Sequence, residues 1–212
     1  MNKIIYHGSD RIIEHPNYFP DNKLNDYGQG FYCTENIDCA GGWACKDAKD
    51  AFINVYNINM SGLKVCNFNS SKFSPLNVLA TLLEYRCYWQ KGDISEKVAE
   101  CLKTYRVDIS GYDVVIGCRA DDSYFSFFRD FLKGKLSVQR TEAVIRGCRK
   151  ESQFVLKSAK AFDRLEYLKF IPANADKYYV RKVADDEALR KLIYSNAEGN
   201  IEETYVTKMI SV

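Results

Sequence analysis

The chain has 212 residues, of which 46% are hydrophobic and 27% charged, and its formal net charge is +2. These values exclude a disordered, collagen-like or coiled-coil chain, and the near balance of charge excludes a strongly basic nucleic-acid-binding protein. We expect no membrane span, because no stretch approaches the roughly 20 apolar residues that a bilayer requires. We also expect a cytoplasmic location, because polar residues come too early for a signal peptide.

Eight cysteines lie at positions 33, 39, 45, 66, 87, 101, 118 and 148. No pair has Cys-x-x-Cys spacing, and His7 and His15 are the only histidines, so we expect no metal site. Because most of the cysteines lie in apolar stretches, the sequence favours free buried thiols over disulfides.

In chain order, the sequence predicts strands on both sides of a helical middle. The predicted strands are residues 3–6, 31–34, 52–59, 63–68, 113–117, 153–156, 165–171 and 201–212. The predicted helices are residues 36–48, 75–90, 95–105, 121–133, 137–147 and 185–195. Strand and helix do not alternate regularly, and no glycine-rich phosphate-binding motif is present. The pattern therefore predicts an α+β protein rather than a doubly wound α/β fold.

Three segments carry residues suited to chemistry. The first is Tyr6-His7-Gly8-Ser9, at the end of a predicted strand. The second is the glycine turn Tyr27-Gly28-Gln29-Gly30-Phe31-Tyr32, with Trp43 eleven residues beyond Tyr32. The third is Glu151-Ser152-Gln153, at the start of a later strand. The plainer interpretation is that the glycines make a turn and that the aromatic residues belong to the core.

In order and spacing, these segments resemble the three signature strands of the ADP-ribosyltransferase fold, in the diphtheria-toxin-like branch that includes the poly(ADP-ribose) polymerases. The whole chain also resembles a bacterial family, domain of unknown function 3990, most clearly over residues 112–157. The resemblance implies a single domain over residues 1–212. This domain would be a split β-sandwich of two small sheets around a cleft, with a helical insertion at about residues 74–147.

The resemblance also implies roles for individual residues toward NAD. His7 and Ser9 match contacts to ribose, and the backbone of Gly8 matches the partner of the nicotinamide amide. Gly30 of the glycine turn is also implied to be a cofactor-binding residue. Tyr32 and Trp43 match the aromatic residues that hold the nicotinamide ring. Two aromatic faces suit a flat cation of this kind.

Gln153 falls where this branch usually has a glutamate. A carboxylate beside the ribose would stabilise the oxocarbenium-like state of cleavage, whereas an amide holds a hydroxyl without charge and cannot act as a base. Polymer elongation is therefore disfavoured. Residues i and i+2 of a strand share a face, so we hypothesise that Glu151 supplies the missing carboxylate.

The sequence thus predicts mono-ADP-ribosyl transfer from NAD to a macromolecule, protein or nucleic acid, with release of nicotinamide. By family analogy, the protein would be the toxin of a toxin–antitoxin or defence pair, with an antitoxin protein as partner. The alternatives are an NAD glycohydrolase and an inactive module that binds NAD or ADP-ribose. Asp121 and Asp122 are predicted to cap a helix. Arg119 is interpreted either as a surface residue or as a residue that binds the pyrophosphate or the acceptor.

Overall fold

The computed structural model describes residues 1–18, 25–86, 96–120, 122–147, 152–195 and 205–209. The strands are β1 (Asn2–Ser9), β2 (Phe31–Thr34), β3 (Ala51–Asn59), β4 (Val65–Asn67), β5 (Val114–Gly117), β6 (Gln153–Leu156) and β7 (Leu165–Ala173). The helices are α1 (Ile37–Ala44), α2 (Pro75–Tyr85), α3 (Glu96–Lys103), α4 (Asp122–Leu132), α5 (Val138–Gly147), α6 (Ala159–Phe162), α7 (Ala175–Ser195) and α8 (Val206–Met209). The predicted α+β class is confirmed.

The strands form one seven-stranded sheet in the order β4-β5-β6-β2-β1-β3-β7. All neighbours are antiparallel except β4 and β5. Strand β2 pairs over all four residues with β6, and β1 pairs over all eight with β3, but β1 and β2 share the single pair of Tyr6 and Thr34. The expectation of two separate sheets is therefore wrong, because this one pair joins the two groups of strands.

Both faces of the sheet are covered at β6. Strand β6 is buried at every position, which explains why it reads as a continuous apolar run after Gln153 rather than as an alternating one. On one face, Val155 packs in the cluster formed with α2, α4 and α5. On the other face, Phe154 and Leu156 pack with Cys33 and Ile58.

Helix α1 lies directly against β1. Its N-cap is Asn36, as predicted, and the side chain accepts hydrogen bonds from the backbone N–H groups of Asp38 and Cys39 at 2.9 and 3.4 Å. A Cβ atom on Gly8 would lie 2.0 Å from the carbonyl oxygen of Ala40, so β1 and α1 approach this closely only because position 8 has no side chain.

The start signal of α2 is also confirmed. Ser74 and Asn77 form a capping box, and Pro75 opens the first turn. The helix brings Arg86, its C-cap residue, to the edge of the cleft described below.

Other expectations fail. Residues 206–209 form α8 rather than part of a strand, and α7 begins at Ala175, ten residues before the predicted start. Cys118 is disulfide-bonded, so the expectation of free thiols is wrong at this position. The free cysteines among the described residues are Cys33, Cys39, Cys45, Cys66 and Cys101.

The buried free thiols have the raised pKa that is expected of core residues. Burial raises the pKa of Cys33, and it raises the pKa of Cys66 to about 11. In the part of the chain that the structure describes, no helix is both long enough and apolar enough to cross a bilayer.

Candidate active site

A cleft of about 1030 Å³ opens where β1 and β2 diverge beyond their single pair. The residues that line it include six with a role implied by the ADP-ribosyltransferase resemblance: His7, Gly8, Gly30, Tyr32, Trp43 and Gln153. Ser9 is not among the lining residues; its hydroxyl lies 3.3 Å from a carboxylate oxygen of Asp10 and 3.3 Å from the backbone nitrogen of Arg11. Glu151 lies outside the described residues, as does Asp121.

His7 is held in one orientation. Its Nδ1 lies 2.7 Å from the carbonyl oxygen of Tyr32, and its ring stacks on Phe31 with 4.4 Å between centroids. Because a carbonyl only accepts hydrogen bonds, Nδ1 carries the proton, and Nε2 of the neutral ring is an acceptor. Burial lowers the pKa of His7 from 6.5, and the nearby charge of Arg11 adds to this, whereas the bond to Tyr32 opposes it.

Tyr32 is anchored through its hydroxyl. The hydroxyl accepts a hydrogen bond from the backbone N–H of Tyr27 at 3.0 Å and donates one to the carbonyl of Gly28 at 2.5 Å. Burial raises the pKa of Tyr32, so the phenol stays protonated. Gly28 has a φ of +74°, and a Cβ there would lie 2.6 Å from the ring of Tyr85. The glycine turn therefore holds the side chain of Tyr32 in position.

Trp43 projects from the last turn of α1. The guanidinium of Arg119 lies over the Trp43 ring, 4.9 Å from its centroid. The indole Nε1 is buried and has no hydrogen-bond partner among the described residues. One face of the predicted nicotinamide-stacking ring thus already interacts with a cation.

Sequence reasoning missed the buried carboxylate of this cleft. Asp26 is only 3% exposed, and its Oδ1 accepts a hydrogen bond from Nε of Arg86 at 2.7 Å. Its Oδ2 accepts from the backbone N–H of Ala120 and from Nε2 of Gln153, each at 2.8 Å. Asp26 directly precedes the glycine turn, and that adjacency was the available signal. Its partners lie 60 to 127 residues away in the sequence.

A second missed residue is Asn54, which holds one wall of the cleft. It is fully buried on β3, accepts a hydrogen bond from the backbone N–H of Ile13 at 2.8 Å, and donates to the carbonyl of Arg11 at 3.2 Å. Tyr56 also donates to the carbonyl of Ile13. The segment after β1 is therefore fixed against the sheet.

Among the residues that the structure describes, the cleft carries more cations than carboxylates. The lining cations are Arg11, Lys46, Arg86 and Arg119, and the lining carboxylates are Glu14 and Asp26. With Asp26 paired to Arg86, the remaining excess of positive charge suits an anion such as a pyrophosphate. Within the described ranges, no cluster of three or more His, Cys, Asp and Glu side chains is placed to hold a metal ion.

A family model described as "Protein of unknown function (DUF3990)" matches residues 3–170, and the chain belongs to this family. The match confirms the resemblance to domain of unknown function 3990 that was drawn from the sequence. It ends within β7, so α7 and α8 lie beyond it. No curated protein and no solved structure matches the chain.

Proposed function

We propose that this protein is an NAD-dependent mono-ADP-ribosyltransferase that modifies a macromolecule and releases nicotinamide. One observation supports the proposal: six residues to which the ADP-ribosyltransferase resemblance gives a role at NAD line a single cleft. They come from β1, the turn before β2, β2 itself, α1 and β6, which are spread over about 150 residues of sequence. Core packing alone does not require these residue types to meet at an open surface.

The described contacts fit the parts of NAD. Neutral His7 presents Nε2 as an acceptor for a ribose hydroxyl. Tyr32 and Trp43 both line the cleft, where an aromatic ring suits a flat cation, although Arg119 already lies over one face of Trp43. The excess positive charge suits the two phosphates. The reaction breaks the bond between nicotinamide nitrogen and ribose carbon. The bonding pair leaves with nicotinamide, which becomes neutral, while the acceptor nucleophile bonds to that carbon and gives up a proton.

Single transfer is favoured over polymer formation. Gln153 carries no charge and cannot take a proton from the hydroxyl of an attacking ADP-ribose unit. The acceptor in this proposal is a protein or a nucleic acid. By family analogy, the enzyme would be the toxin of a toxin–antitoxin or defence pair, with an antitoxin protein as its partner.

A second candidate is favoured by a specific contact. The negative charge of Asp26 is balanced by Arg86, and three donors already use its oxygens. A cleft whose buried carboxylate is this fully engaged also fits a module that binds NAD or ADP-ribose without cleaving it.

The test is to incubate the protein and a cell lysate with NAD labelled in both the nicotinamide and the ADP-ribose part. Released nicotinamide and label on protein and nucleic-acid fractions are then measured separately. Tyr32→Ala is the loss-of-function variant. Lys46→Ala and Lys49→Ala form a matched pair, because both lysines are exposed in the turn after α1 but only Lys46 lines the cleft.

We expect macromolecular label that disappears in Tyr32→Ala, weakens in Lys46→Ala and persists in Lys49→Ala. Free ADP-ribose without macromolecular label would replace the transferase with a glycohydrolase. NAD binding without nicotinamide release would support the binding module. Absence of NAD binding would refute all three.

A further inference from the structure

We propose that Asp26 is a positioning residue that orients the amide of Gln153 so that its Oε1 serves as a hydrogen-bond acceptor for a ribose hydroxyl of the ligand. This inference rests on the proposed function, since it names the group of NAD that the buried amide would receive. It also explains why an amide occupies a position that the related fold usually gives to glutamate.

The first step is the orientation of the amide. Gln153 is 6% exposed, and one of its amide atoms lies 2.8 Å from Oδ2 of Asp26. A carboxylate only accepts hydrogen bonds, so the atom facing it must be the donor Nε2. The reversed amide would place two oxygens 2.8 Å apart. The contact with Asp26 thus removes the usual ambiguity between the two ends of a glutamine side chain.

The second step is the rigidity of Asp26 itself. Its two oxygens accept from Nε of Arg86 and from the backbone N–H of Ala120, in addition to Gln153. Arg86 also donates to the carbonyl of Ala120, which closes the network. Asp26 therefore cannot rotate away without leaving buried donors unpaired.

The third step is the free end of the amide. Oε1 of Gln153 is buried and has no hydrogen-bond partner among the described residues, although Gln153 lines the cleft. A buried acceptor without a partner is unfavourable, and a ligand hydroxyl would satisfy it. A phosphate or carboxylate oxygen would be repelled there. The amide thus selects a hydroxyl donor, while the cations of the cleft serve the phosphates.

The fourth step concerns charge. A glutamate at position 153 would bring a second carboxylate to about 3 Å from Asp26, and two buried carboxylates at that distance do not both ionise readily. Asp26 and an amide at position 153 are therefore complementary. On this view, the Asp26–Arg86 network requires an amide at position 153, and Gln153 is not simply a catalytic glutamate that has been lost.

The test is Gln153→Glu, compared with the double variant Asp26→Asn/Gln153→Glu and with the control Ser71→Glu, which adds the same charge at an exposed residue that does not line the cleft. While the introduced carboxyl is protonated, it still donates to Asp26 and presents an acceptor. We expect nicotinamide release by Gln153→Glu to fall as pH rises from 6 to 9, to on the order of 10²-fold below wild type. The double variant should lose this pH dependence and recover activity, and Ser71→Glu should follow wild type.

A second readout does not depend on turnover. Carbon-13 NMR of Gln153→Glu should show the introduced carboxyl titrating above the ordinary value of about 4.3, and the double variant should bring it back. If wild type releases no nicotinamide but this titration is observed, the proposed function fails and the positioning role of Asp26 stands. An ordinary titration together with wild-type activity at every pH would overturn the inference.

If Gln153→Glu does not fold, the wild-type protein supplies the measurement. The side-chain amide of Gln153, assigned by its loss in Gln153→Met, should exchange slowly with water, since Nε2 is buried and bonded to a carboxylate. Exchange as fast as that of a fully solvated glutamine side chain would overturn the inference.

Discussion

The imidazole of His7 links β1 to the backbone of Tyr32 on β2, with Nδ1 and the carbonyl oxygen 2.7 Å apart. This contact lies one residue beyond Tyr6, which makes the only ladder pair between the two strands. His7 therefore continues the connection between the strands with a side chain where their backbones separate. The same bond fixes the tautomer that leaves Nε2 free to accept.

The first prediction concerns the pH dependence of NAD binding. Protonation of His7 would turn Nε2 from a hydrogen-bond acceptor into a donor. The affinity for NAD should therefore decrease as the pH is lowered. Because burial lowers the pKa of His7, the midpoint should lie below 6.5. Titration calorimetry between pH 5 and 8 would measure it, and His15→Ala should leave the midpoint in place. A midpoint above 6.5 would contradict the assignment.

The same shift affects folding. Between the lowered pKa of His7 and 6.5, the unfolded chain binds more protons than the folded protein. The contribution of His7 to stability should therefore increase as pH rises through this window and be complete above 6.5. Urea unfolding of wild type and His7→Gln over pH 5 to 7.5 should give curves that converge toward acid. Curves that stay parallel would argue against a buried neutral imidazole.

The second prediction concerns the contact between β1 and α1. Gly8→Ala would place a Cβ 2.0 Å from the carbonyl oxygen of Ala40 and 2.7 Å from the nitrogen of Ala44. We expect a loss of about 1–3 kcal/mol in the free energy of unfolding, because backbone must shift to admit the methyl group. NAD binding should weaken as well, since the displaced helix carries Trp43.

Gly111→Ala is the matched control, because a Cβ at that position would meet nothing within 4 Å. Its unfolding free energy should stay within about 0.5 kcal/mol of wild type. Equal stability of the two variants, measured by urea denaturation, would show that β1 and α1 do not approach as closely as described.

The third prediction separates the ring of Tyr32 from its hydroxyl. Tyr32→Phe removes the bonds to Tyr27 and Gly28 and leaves a backbone N–H without its partner, which should cost about 1–3 kcal/mol of stability. The aromatic face remains, so NAD affinity should decrease far less than in Tyr32→Ala. Equal loss of affinity in the two variants would assign the role to the hydroxyl and not to the ring.

The fourth prediction concerns Lys157, which donates to the carbonyls of Tyr27 and Gln29 and lies 5.3 Å from the ring centroid of Tyr85. Burial lowers the pKa of Lys157 to about 8, against 10.5 for the free side chain. Between about pH 8 and 10.5 the unfolded chain binds more protons than the folded protein. The contribution of Lys157 to stability should therefore increase as the pH rises through this window.

Lys157→Met provides the comparison, because methionine retains much of the aliphatic stem but cannot be charged. The stability of wild type relative to Lys157→Met should increase from pH 8 to 10.5. Thermal unfolding at several pH values would measure the difference. A constant difference across that window would show that Lys157 is not desolvated.

Local signals in the sequence predicted most of the secondary structure. The apolar run after Gln153 and the Ser74–Pro75 pair each depend on neighbouring residues, and both are confirmed. The strand predicted over residues 201–212 is wrong at α8, because a short apolar segment fits either period. Sheet order was not predictable in detail, since the single pair between β1 and β2 depends on packing across the whole chain.

The candidate site was predicted only in part, for the same reason. His7, Tyr32 and Trp43 lie in recognisable motifs, and all three line the cleft. Asp26 and Arg86 lie in no motif, and their pairing spans 60 residues of sequence. An ion pair of this kind forms because two residues come close in the folded structure, and their spacing along the chain does not reveal this.

The narrow junction between β1 and β2 also bears on how a long, bent ligand would enter. In a fully paired sheet, several backbone hydrogen bonds must break together before two strands can part. Here one ladder pair and one imidazole bond connect β1 and β2 beside the cleft, while β1 keeps eight pairs to β3 and β2 keeps four to β6. Parting the two strands at this junction would therefore break few contacts between them and would leave the strand pairing on either side intact.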